Sequence, residues 1–157
     1  MKKRVSLLYA VIIVLTVFLA WYISVFHYQL MLVHGDSMLP TYRSGSLLVL
    51  QKHPDEYARG DVVLCRVEPL GRSIVKRIAA VPGDAVSVID GELLINGVYA
   101  APLPDVSLRA DFLDNGPLVL SPGQYLLLGD NLAHSIDSRF AQVGLVSEEQ
   151  LRGRVVK

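Results

Sequence analysis

Apolar side chains dominate without a break from Val5 to Phe26, where the only clearly polar residues are Ser6, Thr16 and Ser24. As a helix this stretch would span roughly 33 Å, enough for a bilayer core of about 30 Å. Trp21, Tyr22 and Tyr28 gather at its far end, where aromatic rings favour the membrane–water interface. A cleaved secretory signal has a shorter apolar core and a small-x-small site. No such site stands out here, so the pattern predicts a retained anchor. Lys2, Lys3 and Arg4 precede the run, and a basic flank stays on the cytoplasmic side. The expected division is an anchor over residues 1–28 and an extracytoplasmic domain over 29–157.

Beyond the anchor the period shortens to two. Strands are predicted at Ser46–Leu50, Asp61–Val67, Ser73–Val81, Ala85–Ile89, Glu92–Ile95, Tyr125–Leu128 and Arg152–Val156. Turn chemistry separates them. Val81-Pro82-Gly83-Asp84 has Pro and Gly at the central places of a type II turn. Asp90-Gly91 is a two-residue hairpin signal, and Asn96-Gly97 is a second turn. Ser147 to Gln150 predicts a single helical turn. The stretch from Tyr99 to Leu120 has no clear period and reads as an excursion over one end of the sheet. Many short strands at this spacing predict an all-β domain of folded or barrel-like sheets.

Charge narrows the function classes. The 15 basic and 15 acidic residues cancel formally, but Lys2, Lys3 and Arg4 lie before the anchor and no acid precedes Asp36. The domain is therefore mildly acidic, which argues against nucleic acid as a partner. The lone cysteine, Cys65, excludes an internal disulfide. Alternation puts it with Val63 and Val67, as a small core residue.

Three stretches carry candidate chemistry. The first is Gly35-Asp36-Ser37-Met38-Leu39-Pro40-Thr41. Pro40 disfavours a helical residue before it, so Ser37 is expected on an extended edge just past the anchor. A serine nucleophile needs a base. The histidines are His27, His34, His53 and His134; spacing alone leaves His34 and His134 open. The better candidate is Lys76, in the second stretch. Alternation places Ile74, Lys76 and Ile78 on one strand face and Val75, Arg77 and Ala79 on the other. Desolvation between two isoleucines disfavours the ammonium, by up to about 3–5 pKa units at full burial. A neutral amine can then accept the serine proton. Arg77 points the other way and stays charged. The third stretch, Gly129-Asp130-Asn131 through His134-Ser135-Ile136-Asp137-Ser138-Arg139, packs polar groups into a loop after a buried-looking strand. Ser135 could orient a neutral amine, and Asp137 could pair with Arg139. None of this chemistry requires a cofactor or a metal.

In this order, behind an apolar run, the three stretches resemble the bacterial type I signal peptidases, or leader peptidases, which use a serine–lysine dyad. The resemblance covers nearly all of the chain from the anchor to Val156. It implies a signal-peptidase-like β-fold and a serine endopeptidase that removes signal peptides from exported preproteins after small residues at −1 and −3. By position, Ser37 would attack the scissile carbonyl, and Lys76 would act as general base and then acid. Ser135 would hold Lys76, and Asp137 and Arg139 would form a structural pair. Met38, Tyr42, Ile74 and Val75 would line shallow apolar pockets. Gly35 stands where some relatives have a serine that adds to the oxyanion hole, so a backbone or other donor must suffice. The long inserted β-domain of some Gram-negative members is missing.

The implied partners are preprotein signal peptides, the lipid bilayer, and the Sec or Tat export machinery, with the chain in the bacterial cytoplasmic membrane. Three alternatives are a specialised processing protease such as one maturing conjugative pilin, an autoproteolytic regulator, and an inactive β-domain that only binds export partners.

Overall fold

A computed structural model describes residues 2–102 and 116–156. Helix α1 covers Lys2–His27, and its span Leu8–His27 is long and apolar enough to cross a membrane and is not buried against the protein. The chain passes directly into β1, Tyr28–Leu32, a strand without a sequence-level prediction. Tyr28, grouped above with the interfacial aromatics, is its first residue.

The remaining strands are β2 Leu47–Gln51, β3 Val62–Val67, β4 Arg72–Ala80, β5 Ala85–Ile89 and β6 Glu92–Ile95. They continue with β7 Val98–Pro102, β8 Leu118–Val119, β9 Gln124–Leu128, β10 Val146–Ser147 and β11 Leu151–Val155. Seven of them form one sheet in the order β1-β2-β11-β3-β4-β9-β10, and four form a second in the order β7-β6-β5-β8. The predicted strands all form, with boundaries shifted by about one residue; β1, β7, β8 and β10 are additional. The two short ones, β8 and β10, have too few residues to show a period. Of the expected excursion over Tyr99 to Leu120, the described ends join β7 and β8, and residues 103–115 lie outside the described residues.

The turns follow the local chemistry. Asp90 and Gly91 have φ of 52° and 79°, and Asn96 and Gly97 have 52° and 77°. Two consecutive positive φ values make the tight hairpin turns that match strand twist, here joining β5 to β6 and β6 to β7. Ser147 and Gln150 form a reciprocal capping box on the 3-10 turn Glu148–Gln150.

Among the described residues, three apolar clusters hold the domain together. Ala80, Val86, Leu93, Ile95, Leu120 and Leu126 pack the four-stranded sheet against the ends of β4 and β9. Val63, Cys65, Val67, Ile74, Ile78 and Leu127 fill the middle of the larger sheet, with Cys65 fully buried. Met38 joins Val33, Leu48, Leu50, Val62 and Val155 beneath β1, β2 and β11. The last cluster matters for the site, because a buried Met38 fixes the segment that carries Ser37.

Candidate active site

The segment around Ser37 is a turn and not the extended edge expected from Pro40. The Leu39 N–H donates to the Asp36 carbonyl and the Tyr42 N–H to the Met38 carbonyl, at 3.2 and 2.8 Å. The Leu39–Pro40 peptide is cis. These contacts and the burial of Met38 close the chain on itself and leave Ser37 partly exposed at the turn.

The base predicted from alternation lies beside it. Lys76 Nζ is 2.8 Å from Ser37 Oγ and donates a second bond to the Val75 carbonyl at 2.8 Å. On β4, Ile74, Lys76 and Ile78 are all buried while Val75, Arg77 and Ala79 are half-buried. Lys76 itself is 3% exposed. Burial pushes its ammonium down to about 8, and the negative charge of Asp137 offsets only part of that. The amine is thus substantially neutral in mildly alkaline solution and can accept a proton from the hydroxyl it touches.

The third stretch clamps the Ser37 turn from the other side. The Asn131 N–H donates to the Ser37 carbonyl at 3.0 Å. Asn131 Nδ2 donates to the Asp36 carbonyl at 3.1 Å. Asp130 receives two bonds from Arg77, Nε at 2.8 Å and Nη2 at 2.6 Å, and accepts a third from the Thr41 hydroxyl. Burial raises the Asp130 pKa, but the bonds from Arg77 and Thr41 outweigh it and hold the carboxyl below its ordinary value. One carboxylate therefore ties β4 to the Ser37 segment through Thr41. Gly129 makes the approach possible: a Cβ there would stand 2.2 Å from Ser135 Oγ and 2.6 Å from the Ser37 carbonyl oxygen.

The expected bond from Ser135 to Lys76 is absent. Ser135 is buried at 4% exposure, and its hydroxyl has no hydrogen-bond partner among the described residues. It lies against Gly129, while the Lys76 amine is engaged by Ser37 and Val75. Asp137 and Arg139 do pair, Nε to Oδ1 at 2.8 Å and Nη2 to Oδ2 at 3.1 Å, with both side chains essentially buried. Asp137 also accepts the Gly129 N–H at 3.0 Å, and Arg139 donates to the Leu132 and Pro102 carbonyls. The pair fixes the loop that carries Asn131.

A groove of about 320 Å³ runs past Ser37 and Lys76. Met38, Ile74 and Val75 line it, as expected; Tyr42 does not, and instead packs behind Met38 in the buried cluster. Gly35 is also on the wall, with φ of +86°. A side chain there would be strained whatever the space, so a serine donor at this position conflicts with the backbone. The Gly35 N–H already donates to Ser44 Oγ at 3.2 Å. His34 and His134 line the groove, yet neither hydrogen-bonds to Ser37 among the described residues; His134 faces Asn131.

Sequence reasoning assigned no role to Thr41, Gly129, Asp130 or Asn131. Their signal was proximity to Ser37 or to Ser135 in the two polar stretches, without an indication that the stretches bind each other. Comparison with known proteins points the same way as the geometry. The family described as Signal peptidase, peptidase S26 matches residues 6–157. Signal peptidase I T of Bacillus subtilis (strain 168) is 36% identical over 155 residues, covering 90% of this chain and 78% of that protein. Signal peptidase I of Bacillus licheniformis is 34% identical over 155 residues, covering 90% and 81%. A crystal structure of a signal peptidase I from Enterococcus faecalis V583 is 28% identical, with a TM-score of 0.45, covering 65% of this chain and 97% of that one. With a match over nearly its whole length and relatives above 30% identity, this chain belongs to the signal peptidase family, peptidase S26.

Proposed function

We propose that this chain is a membrane-anchored serine endopeptidase that cleaves signal peptides from exported preproteins, with Ser37 as nucleophile and Lys76 as general base. The observation that carries the reading is the 2.8 Å contact between Ser37 Oγ and a buried Lys76 amine. The neutral amine takes the hydroxyl proton as Oγ attacks the scissile carbonyl. The resulting ammonium then gives a proton to the leaving amine, which releases the mature chain and an acyl-enzyme on Ser37. Water then displaces the acyl group by the same proton relay. The Ser37 N–H is the backbone donor for the oxyanion, since Gly35 offers no side chain. Ser135 packs against Gly129 at the point where that residue approaches Ser37, and Asp137 with Arg139 supports the loop that holds the Ser37 turn. Small side chains at −1 and −3 enter the apolar part of the groove at Met38, Ile74 and Val75.

The division into an anchor over residues 1–28 and a catalytic domain over 29–157 agrees with this reading, with the basic N-terminus in the cytoplasm and the domain outside. The anchor and a signal peptide then share one bilayer, which raises their effective concentration. The outward side of β1 and β2 also suits a lipid surface. Leu30 pairs with Val49 and Leu32 with Leu47, and all four are exposed immediately after α1. Products of the Sec or Tat export machinery are the natural supply of substrate.

The test uses the full chain in detergent micelles and a preprotein with Ala-x-Ala before the cut. Ser37→Ala and Lys76→Ala should each abolish cleavage. Substantial activity in Lys76→Ala, together with loss in His34→Ala or His134→Ala, would overturn the dyad.

A further inference from the structure

On one side β4 is paired by β3 from Arg72 to Arg77, in the register Val67↔Arg72 to Val62↔Arg77. On the other side β9 reaches only from Arg77 to Ala80. Among the described residues the edge from Arg72 to Lys76 is therefore open, and these residues line the groove. An extended peptide can add to such an edge through its backbone, with side chains read one by one.

The two ends of that edge differ in charge. At one end Lys76 is buried against Ser37. At the other, Arg72 is exposed and has no ion-pair partner among the described residues. The neighbouring charges on β3 and its following turn cancel, because Arg66 bonds Glu68 at 3.1 Å. Asp130 is bound by Arg77 and Asp137 by Arg139. The other titratable groups on the groove wall are His34, His134 and Asp36, and Asp36 adjoins Ser37. Among the described residues, the far end of the groove thus carries one uncompensated fixed positive charge.

Lys76 lies four residue steps along the strand from Arg72, about 13 Å at roughly 3.3 Å per step. We propose that Arg72 is a specificity residue for the position five before the cut, favouring a carboxylate there and disfavouring lysine or arginine. The proposal rests on the reading in which the −1 residue lies beside Lys76 and the peptide runs along the apolar groove wall. In that register the −5 residue lies beside Arg72. The pair is solvent-exposed, so its effect is modest and weakened by salt.

The experiment compares three preproteins identical except for Glu, Gln or Lys at −5, each with Ala-x-Ala before the cut. The wild-type chain, Arg72→Gln and Arg72→Glu are assayed in detergent micelles, with Arg152→Gln as a control that removes the same charge from an exposed position outside the groove. The expected Glu-over-Lys ratio in kcat/KM is about three- to tenfold for wild type and Arg152→Gln. It should collapse in Arg72→Gln, reverse in Arg72→Glu, and shrink at high salt. Equal ratios in wild type and both Arg72 variants overturn the proposal while leaving the Ser37–Lys76 assignment intact. Loss of the Ser37 dependence of cleavage in the wild-type series would instead sink the underlying reading.

Discussion

The two faces of β4 carry adjacent cations that the fold treats in opposite ways. Lys76 faces the buried side between Ile74 and Ile78, has no ion-pair partner among the described residues, and meets a hydroxyl and a carbonyl. Arg77 faces the other side, binds Asp130 through two nitrogens, and adds the Gly60 carbonyl at 2.7 Å. Burial lowers the lysine pKa to about 8, whereas the bonds to Asp130 raise that of the arginine. A group without a counter-ion is destabilised as a cation and gains chemistry. A paired group keeps its charge and gives position. One turn of the strand pleat separates a reactive amine from a structural one.

The sharpest way to break this contrast is Lys76→Met, which keeps the apolar stem and removes the amine. Cleavage should fall by about 10²–10⁴-fold or more, measured as kcat on an Ala-x-Ala preprotein, while circular dichroism shows the β-sheet intact.

The same substitution tests the cost of burying the amine. With a folded value near 8 and an unfolded value of about 10.4, the unfolded chain holds the extra proton between those pH values. Stability therefore rises with pH across that window, by on the order of 3 kcal/mol at about 1.4 kcal/mol per unit. Urea midpoints of the wild-type chain should show this rise, and those of Lys76→Met should lack it. A flat wild-type profile would mean that the amine is not desolvated.

On the paired face, Asp130→Asn should destabilise by about 1–3 kcal/mol, since it weakens charged hydrogen bonds to Arg77 and loosens Thr41. Combining it with Arg77→Gln should add little, because the two residues act through one another. Additive losses would show that the pair is not a unit.

The smallest expected effect is on the pH profile. Cleavage should rise with pH along a limb near 8 as Lys76 loses its proton. Removing the Asp130 charge takes away one of the groups that hold the proton on Lys76, so the Asp130→Asn limb should move to lower pH. His34→Ala and His134→Ala should leave the limb in place.

Much of this contrast was legible along the chain. Alternation alone put Ile74, Lys76 and Ile78 on one face and Arg77 on the other, and hairpin chemistry placed the turns at Asp90-Gly91 and Asn96-Gly97. The partner of Arg77 was not legible, nor was the clamp of Asn131 on the Ser37 turn. Ser37 was expected on an extended edge and lies on a turn, because the hydrogen bonds at Asp36 and Met38 and the burial of Met38 outweigh the bias before Pro40. Ser135 was expected on Lys76 and lies against Gly129.

By itself the sequence determined the apolar run, the period-two strands, the tight turns and the candidates Ser37 and Lys76. These depend on steric and solvation preferences within a few residues of chain. Only the tertiary structure decided that Lys76 reaches Ser37 across 39 residues, Asp130 reaches Arg77 across 53, and Asn131 reaches Asp36 across 95. Those meetings depend on strand order and register, set by the packing of all strands together, and no local pattern records them.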